Sequence, residues 1–512
     1  MRSAPIPFGV IFVLILFGCG PTAVVSDPDQ LDSAAQSDSN GNLKSDQQEW
    51  DENSTSSLSL LVVGDAELTQ AIRRIWASRS SSVLQLTEIS EADAADQLNS
   101  PDFSIATDAV ICPPRFLGVL VERAIIQAMP ARVASNDQLA LGDVFPTVAE
   151  HEICWGGKTY AVPFGSPHLC FVYRSDVLDR LGVAPPSTWR QVSALQEQLA
   201  DPDTRRELAD LVSAGAAVDV ELFSQPLAAE SLAMTFLARA AAYAVHPGHY
   251  SALFDYRSMK PLVDQAPFVR ALEELVAGQQ HASPASRSMT PALATDSVCD
   301  GKSLMAIGGR PTRGRQDNDD ANDDANASRY PVAVAELPGA DEVFNPTSRE
   351  WERRERAADF RVPLLGTSGR VGCVVARTRR TRGAWNLLVL LASLEWGVEI
   401  SPASFHTSIA RPSQVASAGR WWGDAGGPRA VASFGSSMSA SSSRRAALLA
   451  PRIPGQRRYM EILTTAVESV LDGEILPGAS LTSVAREWEK LTDEIGREEQ
   501  IRAYCRSLGV EP

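Results

Sequence analysis

The chain has 512 residues, of which 44% are hydrophobic and 21% charged, enough apolar material for two separate cores. Its formal net charge of -16 argues against nucleic acid as a partner, since that role calls for a basic face. Besides Cys19 there are six cysteines, Cys112, Cys154, Cys170, Cys299, Cys373 and Cys505. None forms a Cys-x-x-Cys, so neither a zinc site nor a thioredoxin-type centre is expected, and any disulfide pairing stays open.

In chain order, residues 1–18 read as a targeting segment with Arg2 before an apolar run at Val10 to Phe17, too short to span a bilayer as a mature helix. Residues 19–57 are expected to be a disordered tether, because Ser26 to Ser57 is rich in Ser, Asp, Asn and Gln with hardly any apolar residues. Folded structure is expected to begin with a strand at Leu58 to Val63, ending at Gly64-Asp65. A helix (Glu67 to Ser78), a strand (Val83 to Thr87), a helix (Glu91 to Leu98), a strand (Ser104 to Ile111) and a helix (Phe116 to Ala128) follow. That alternation predicts parallel β-α-β units, with ligands bound beyond the carboxyl ends of strands. Asp65 and Cys112 to Arg115 are therefore rim candidates, although a turn or cap residue is the more common reading of Asp65.

The stretch Cys154 to Trp189 predicts a strand, a polar turn at Phe164-Gly-Ser-Pro167, a second strand, a short helix stopping at Gly182, and a helix capped by Thr188. Helices dominate from Thr188 to Val245, and another is expected at Phe268 to Gly278. Ser297 to Gly309 reads as a helix end feeding a strand and a glycine turn. Gln316 to Ser328 is an Asp/Asn run without calcium-loop spacing, and Ala340 to Ala358 reads as a polar insertion. Val371 to Ala376 is a further strand, Arg382 to Leu394 a helix, and Tyr459 to Leu471 and Leu481 to Leu508 are closing helices.

The order of these pieces resembles the family 1 extracellular solute-binding proteins of ABC importers. The resemblance is carried by Gly157-Lys158-x-Tyr160-x-x-Pro163, by the strand ending in Tyr173, and by Leu181-Gly182 and Pro185-Pro186-x-Thr188-Trp189. Gly301-Lys302, Leu337-Pro338-Gly339, Thr407 to Ser413 and the closing helices add to it. It implies an α/β, two-lobed, periplasmic-binding-protein-like fold of type II, with a hinge of several chain crossings near Pro163 to Pro167. The first lobe would be 58–165 plus 368–400 and the second, helix-rich, 166–367 plus 401–508. Leu16-Phe-Gly-Cys19 resembles a bacterial lipobox, which makes Cys19 the lipid-bearing residue and places the protein on the extracytoplasmic face of the cell envelope. A plain secretory signal or an inner-membrane anchor is the alternative reading of that segment.

Enzyme signatures are missing. Gly157-Lys158-Thr159 and Gly301-Lys302-Ser303 end like phosphate-binding loops but have Glu152 and Asp296 where the first glycine belongs. Gly366-Thr-Ser-Gly-Arg370 is no nucleophile elbow, and the six histidines show no His-Glu-x-x-His spacing. Binding instead needs a preformed cleft with a few polar groups and aromatic faces. The candidate ligand contacts are Asp65, Arg115, Phe164, Ser166, His168, Gly309, Arg310, Phe405, Arg411 and Trp422, with Trp421 beside them. Cys112 and Pro311 stand where several sugar-binding members carry aromatic residues, and Arg115 stands where some carry an acid. An anionic solute would suit Arg115, Arg310 and Arg411. The expected protein captures a small solute, a carbohydrate or a related polar or anionic compound, and delivers it to importer permease subunits. It needs no cofactor or metal, meets the membrane through an N-terminal lipid anchor, and acts as a monomer. Two alternatives stay open: a binding protein turned surface interaction or sensor protein, and a cell-surface hydrolase.

Overall fold

The computed structural model describes residues 57–98, 100, 103–212, 220–281, 284–312, 330–366 and 368–511. The expectations for Cys19, for the leader and tether before residue 57, and for the Asp/Asn run Gln316 to Ser328 lie outside the described residues.

Strand β1 (Leu58–Val63) sends Leu60 and Val62 into one apolar layer and Leu61 and Val63 into another. A continuous apolar run is what a strand covered on both faces requires. The chain turns at Gly64, with φ of 59°, into α1 (Ala66–Arg79), which Asp65 caps by accepting from the Leu68 amide at 3.0 Å. β2 (Leu84–Ile89), α2 (Glu91–Leu98), β3 (Ala109–Cys112) and α3 (Leu117–Glu122) follow. Both β2 and β3 pair with β1 in parallel.

Next come β4 (Ala161–Gly165), β5 (Cys170–Arg174), α4 (Ser175–Leu181), α5 (Trp189–Ala200), β6 (Glu221–Ser224), α6 (Ala229–Ala244), α7 (Ala266–Ala277), α8 (Pro291–Cys299) and β7 (Ser303–Gly308). After β8 (Val332–Glu336), β9 (Glu342–Asn345) and β10 (Glu350–Arg353), β11 (Arg370–Val374) leads to α9 (Thr381–Leu391) and α10 (Leu394–Ile400). The chain closes with α11 (Gly427–Ser442), α12 (Gln456–Leu471), α13 (Pro477–Ile495) and α14 (Arg497–Leu508).

These strands form two principal sheets. The first has the order β2-β1-β3-β11-β4, with β11 antiparallel to both neighbours. The second has the order β8-β5-β7-β6. One face of the first sheet packs on α1, α9 and α10 through Leu68, Ile72, Trp385, Leu388 and Ile400. One face of the second packs on α8 and α11 through Val298, Phe434 and Met438. The backbone passes between the sheets after β4, before β11 and again after α10, which gives the two-lobed α/β architecture and the several crossings that the resemblance implies. The crossings touch one another. A Cβ on Gly165, at φ of 88°, would collide with the Ser408 carbonyl, and one on Gly369, at φ of 112°, with the Ser166 hydroxyl.

Four expectations change in detail. The strand expected from Ser104 starts only at Ala109, and just before it Asp108 takes hydrogen bonds from the Ser59 amide and hydroxyl, both at 2.9 Å. The helix expected to reach Ala128 stops at Glu122, because Ala124 adopts φ of 53° and frees Ile126 to bridge Val375. The Ala340 to Ala358 insertion folds as the hairpin β9–β10, with Trp351 edge-on to Tyr243 at 5.9 Å. The last helix is two, broken at Gly496 with φ of 116°. Among the described residues the six cysteines are free thiols, and no single helix is long and apolar enough to cross a membrane.

Candidate binding cavity

Between the two sheets lies a cavity of about 910 Å³, within the size range of small-molecule sites. Its walls come from the segments that leave strand ends, as parallel α/β sheets dictate. After β2 come Glu91, Ala92 and Ala95; after β3, Arg115 and Phe116; after β7, Gly309, Arg310 and Thr312. The crossing before β5 supplies Pro167, His168 and Leu169, and the first turns of α6 and α8 supply Glu230, Ser231, Met234 and Pro291. Helix α12 closes one side with Gln456, Arg457, Met460, Glu461 and Thr464.

Every arginine on this wall is already engaged. Arg115 is ion-paired with Glu91 and its guanidinium lies 5.4 Å from the Phe116 ring. Glu91 also faces Arg370, which has no exposed side-chain surface, at 3.2 Å. Arg370 is 3.1 Å from Asp65, whose other oxygen caps α1, and donates to the Gly64 and Gly369 carbonyls. Burial pulls the Arg370 guanidinium below its ordinary range, and Asp65 and Glu91 pull it back. Asp65 in turn accepts from the Ser404 hydroxyl at 2.6 Å. Arg310 donates to the backbone carbonyls of Trp421 at 2.6 Å, Pro402 at 2.8 Å and Ser404, and lies 5.2 Å from the Phe405 ring. Arg457 pairs with Glu461 at 2.7 Å and with Asp96 of α2 at 3.1 Å.

The lining thus holds three guanidiniums, Arg115, Arg310 and Arg457, and three carboxylates, Glu91, Glu230 and Glu461. Neither histidine adds charge near neutral pH. Burial holds His168, whose Nδ1 lies 3.0 Å from the Ser441 hydroxyl, down at about 4. His406 is lowered first by desolvation in the concavity and then by Arg370. Paired donors and acceptors in a balanced field suit neutral groups that donate and accept together, such as hydroxyls.

Of the residues expected from sequence, the structure brings Arg115, His168, Gly309, Arg310 and Phe405 to the wall. Five others require correction. Phe164 is inside the layer beneath α9, because strand alternation points Val162 and Phe164 away from the cavity. Trp422 is fully buried under α11, its ring 5.1 Å from that of Phe434 and tilted to it, with its indole N–H donating to the Ala425 carbonyl. Arg411 is buried and donates to the Ala140 and Ala392 carbonyls, so it fastens loops and faces no solute. Ser166 is buried in the crossing against Gly369. Asp65 lies just beneath the wall as a cap and counter-ion. The arginine set that suggested an anionic solute is therefore neutralised or spent on backbone. Sequence reasoning missed Glu91, Arg370, Arg457 and Glu461. The strand-end rule that picked Asp65 after β1 picks Glu91 after β2 equally well. The α12 residues had no local signal. Among the described residues no cluster of His, Cys, Asp or Glu could hold a metal. His246 instead pairs with Glu352 at 3.0 Å and accepts from the Gly248 amide within its turn.

No protein-family model matches the chain. Solved structures do. The ABC-transporter solute-binding protein of Agrobacterium radiobacter in complex with ribitol is 18% identical with a TM-score of 0.59, covering 85% of this chain and 98% of its own. Maltose-bound MalE3 of T. maritima is 15% identical with a TM-score of 0.57, covering 85% of this chain and 100% of its own. A Thermotoga lettingae solute-binding protein bound with α-D-tagatose is 14% identical with a TM-score of 0.58, covering 85% and 99%. At these identities the likeness is one of fold. The fold is the type II, two-lobed architecture of ABC-transporter solute-binding proteins, the one that the sequence resemblance implies.

Proposed function

We propose that the protein is an extracytoplasmic solute-binding component of an ABC importer, anchored by a lipid on Cys19, that captures a small hydroxylated solute of the sugar or polyol class without transforming it. The observation that carries this reading is the 910 Å³ cavity between the two sheets, walled by Arg–carboxylate pairs of balanced charge. Each pair offers a hydroxyl both a donor and an acceptor, while a net anion would meet a wall whose three arginines are matched by Glu91, Glu230 and Glu461 and so has no positive excess to hold it. The fold shared with binding proteins solved around ribitol, maltose and tagatose supports the same class.

In this reading residues 58–165 with 368–400 move as one lobe against 166–367 with 401–508, and the glycine-lined crossings at Gly165 and Gly369 are the hinge. Titration calorimetry with a panel of sugars, polyols and their phosphates tests it. Neutral members are expected to bind and to compact the protein in solution scattering. Preference for phosphorylated members, or turnover of any member, would count against it.

A further inference from the structure

Strand β11 starts at Arg370 beside the cavity and ends at Val374, paired with Ala109 at the amino end of β3. That is the far end of the first sheet, about 13 Å from Arg370 by strand rise. Leu58, the first residue of β1, lies there too, against Gly383. The turn at this edge carries Arg377, Arg379, Arg380 and Arg382, all exposed. No other six-residue window of the chain holds four basic residues, and no Asp or Glu occurs between Asp359 and Glu395. Arg380 pairs with Asp108 at 3.3 Å. Arg377, Arg379 and Arg382 have no carboxylate partner among the described residues.

Helix α9 begins in the same turn, with no side-chain cap and no acidic residue in its first turn. Its unsatisfied amides and the positive end of its dipole favour anions, yet the chain places arginines there. Two independent features thus converge on an electropositive edge that the protein leaves uncompensated.

We propose that the Arg377 to Arg382 turn docks on the anionic phospholipid headgroups of a membrane surface. Charge complementarity with clustered phosphates is one reason. Covalent connectivity is the other: the chain that carries the proposed anchor at Cys19 enters the folded body at Leu58, beside this turn. Docking there sets the end of β1 that leads to the cavity away from the bilayer. The orientation rests on the proposed anchor; the headgroup contact does not.

The test is sedimentation of the full-length chain carrying Cys19→Ser with phosphatidylcholine vesicles, with and without phosphatidylglycerol. The triple substitution Arg377→Gln, Arg379→Gln, Arg382→Gln is compared with the parent chain. Binding selective for phosphatidylglycerol vesicles is expected, lost at high salt and weakened roughly 10²-fold by the triple substitution, at about fivefold per arginine. Equal binding to neutral vesicles, equal binding by the variant, or displacement by inorganic phosphate at matched ionic strength would overturn the proposal. Hydrogen exchange of 375–383 gives a second readout: anionic vesicles are expected to slow it in the parent chain, and unchanged exchange would refute headgroup contact. Solute titration on the same variant is expected to be unaltered, so failure of the membrane contact and failure of the solute reading are separable.

Discussion

The arginines at the two ends of β11 differ in what surrounds them. Arg370, at the cavity, is buried between Asp65 and Glu91 and gives its remaining donors to backbone carbonyls. Arg377, Arg379 and Arg382, at the far edge, are exposed and have no carboxylate beside them among the described residues. The residue type alone would make both ends anion sites. What separates them is the company each guanidinium keeps, since a charge already paired and desolvated has nothing left for a ligand.

The largest expected effect tests that distinction directly. Arg370→Met strands Asp65 at a buried position and leaves Glu91 with Arg115 alone, and should lower unfolding free energy by about 3–5 kcal/mol in denaturant titration. The triple Gln substitution at the far edge should change it by no more than about 0.5 kcal/mol. Similar losses at the two ends would break the comparison.

A second test uses a buried acid near the hinge. Glu152 is almost completely enclosed, and burial raises its carboxyl to about 7, against the opposing pull of Ser166 and Arg452. Its unfolded value is near 4.5, so between pH 4.5 and 7 the unfolded chain gives up this proton first. Stability is therefore lost as pH rises through that window, by at most about 3 kcal/mol. His151 and His168, both held at about 4 by burial, act in the opposite sense and cost stability as pH falls from 6.5 to 4. Glu152→Gln removes only the first slope. Its stability relative to the parent chain should grow from pH 4.5 to 7 and then level off; a difference that stays flat would mean the carboxyl titrates normally.

How much of this was legible in the sequence depended on whether the signal was local. The apolar run Leu58–Val63, the Gly64-Asp65 turn and the Thr188 cap announce themselves within a few residues, and the order of such pieces carries the resemblance that implied the two-lobed architecture. Gly496 marked the break in the last helix, although apolar periodicity on both sides of it concealed the stop. The cavity was only half legible. Residues at strand ends, Arg115, Gly309 and Arg310, could be found by rule, whereas Arg457, Met460 and Glu461 arrive from a helix far along the chain. Phe164, Arg411 and Trp422 show the converse failure: their chemistry suits a cleft, and long-range packing buries each of them elsewhere.

A smaller effect probes the balanced wall itself. Ala92 lines the cavity at the start of α2 and is exposed to it. Ala92→Trp should fill part of the space and weaken solute binding by tenfold or more, about 1.4 kcal/mol, while the melting temperature and vesicle binding stay unchanged. Unaltered affinity would place the solute outside this cavity.

The smallest effect belongs to a pair that resembles both ends of β11 at once. Arg457 and Asp96 are ion-paired like Arg370 and Asp65, yet both are substantially exposed like the far-edge arginines, and they join α12 to α2 across the cavity. Exposure should win, because water and salt screen such a pair and ordering two long side chains offsets its attraction. Asp96→Asn is expected to cost no more than about 1 kcal/mol at low salt and nothing measurable at high salt. If the pair biases closure, the unliganded variant will show a larger radius of gyration than the parent at low salt only. An equal radius in both would mean that backbone packing at Gly165 and Gly369 alone sets the resting opening of the cleft.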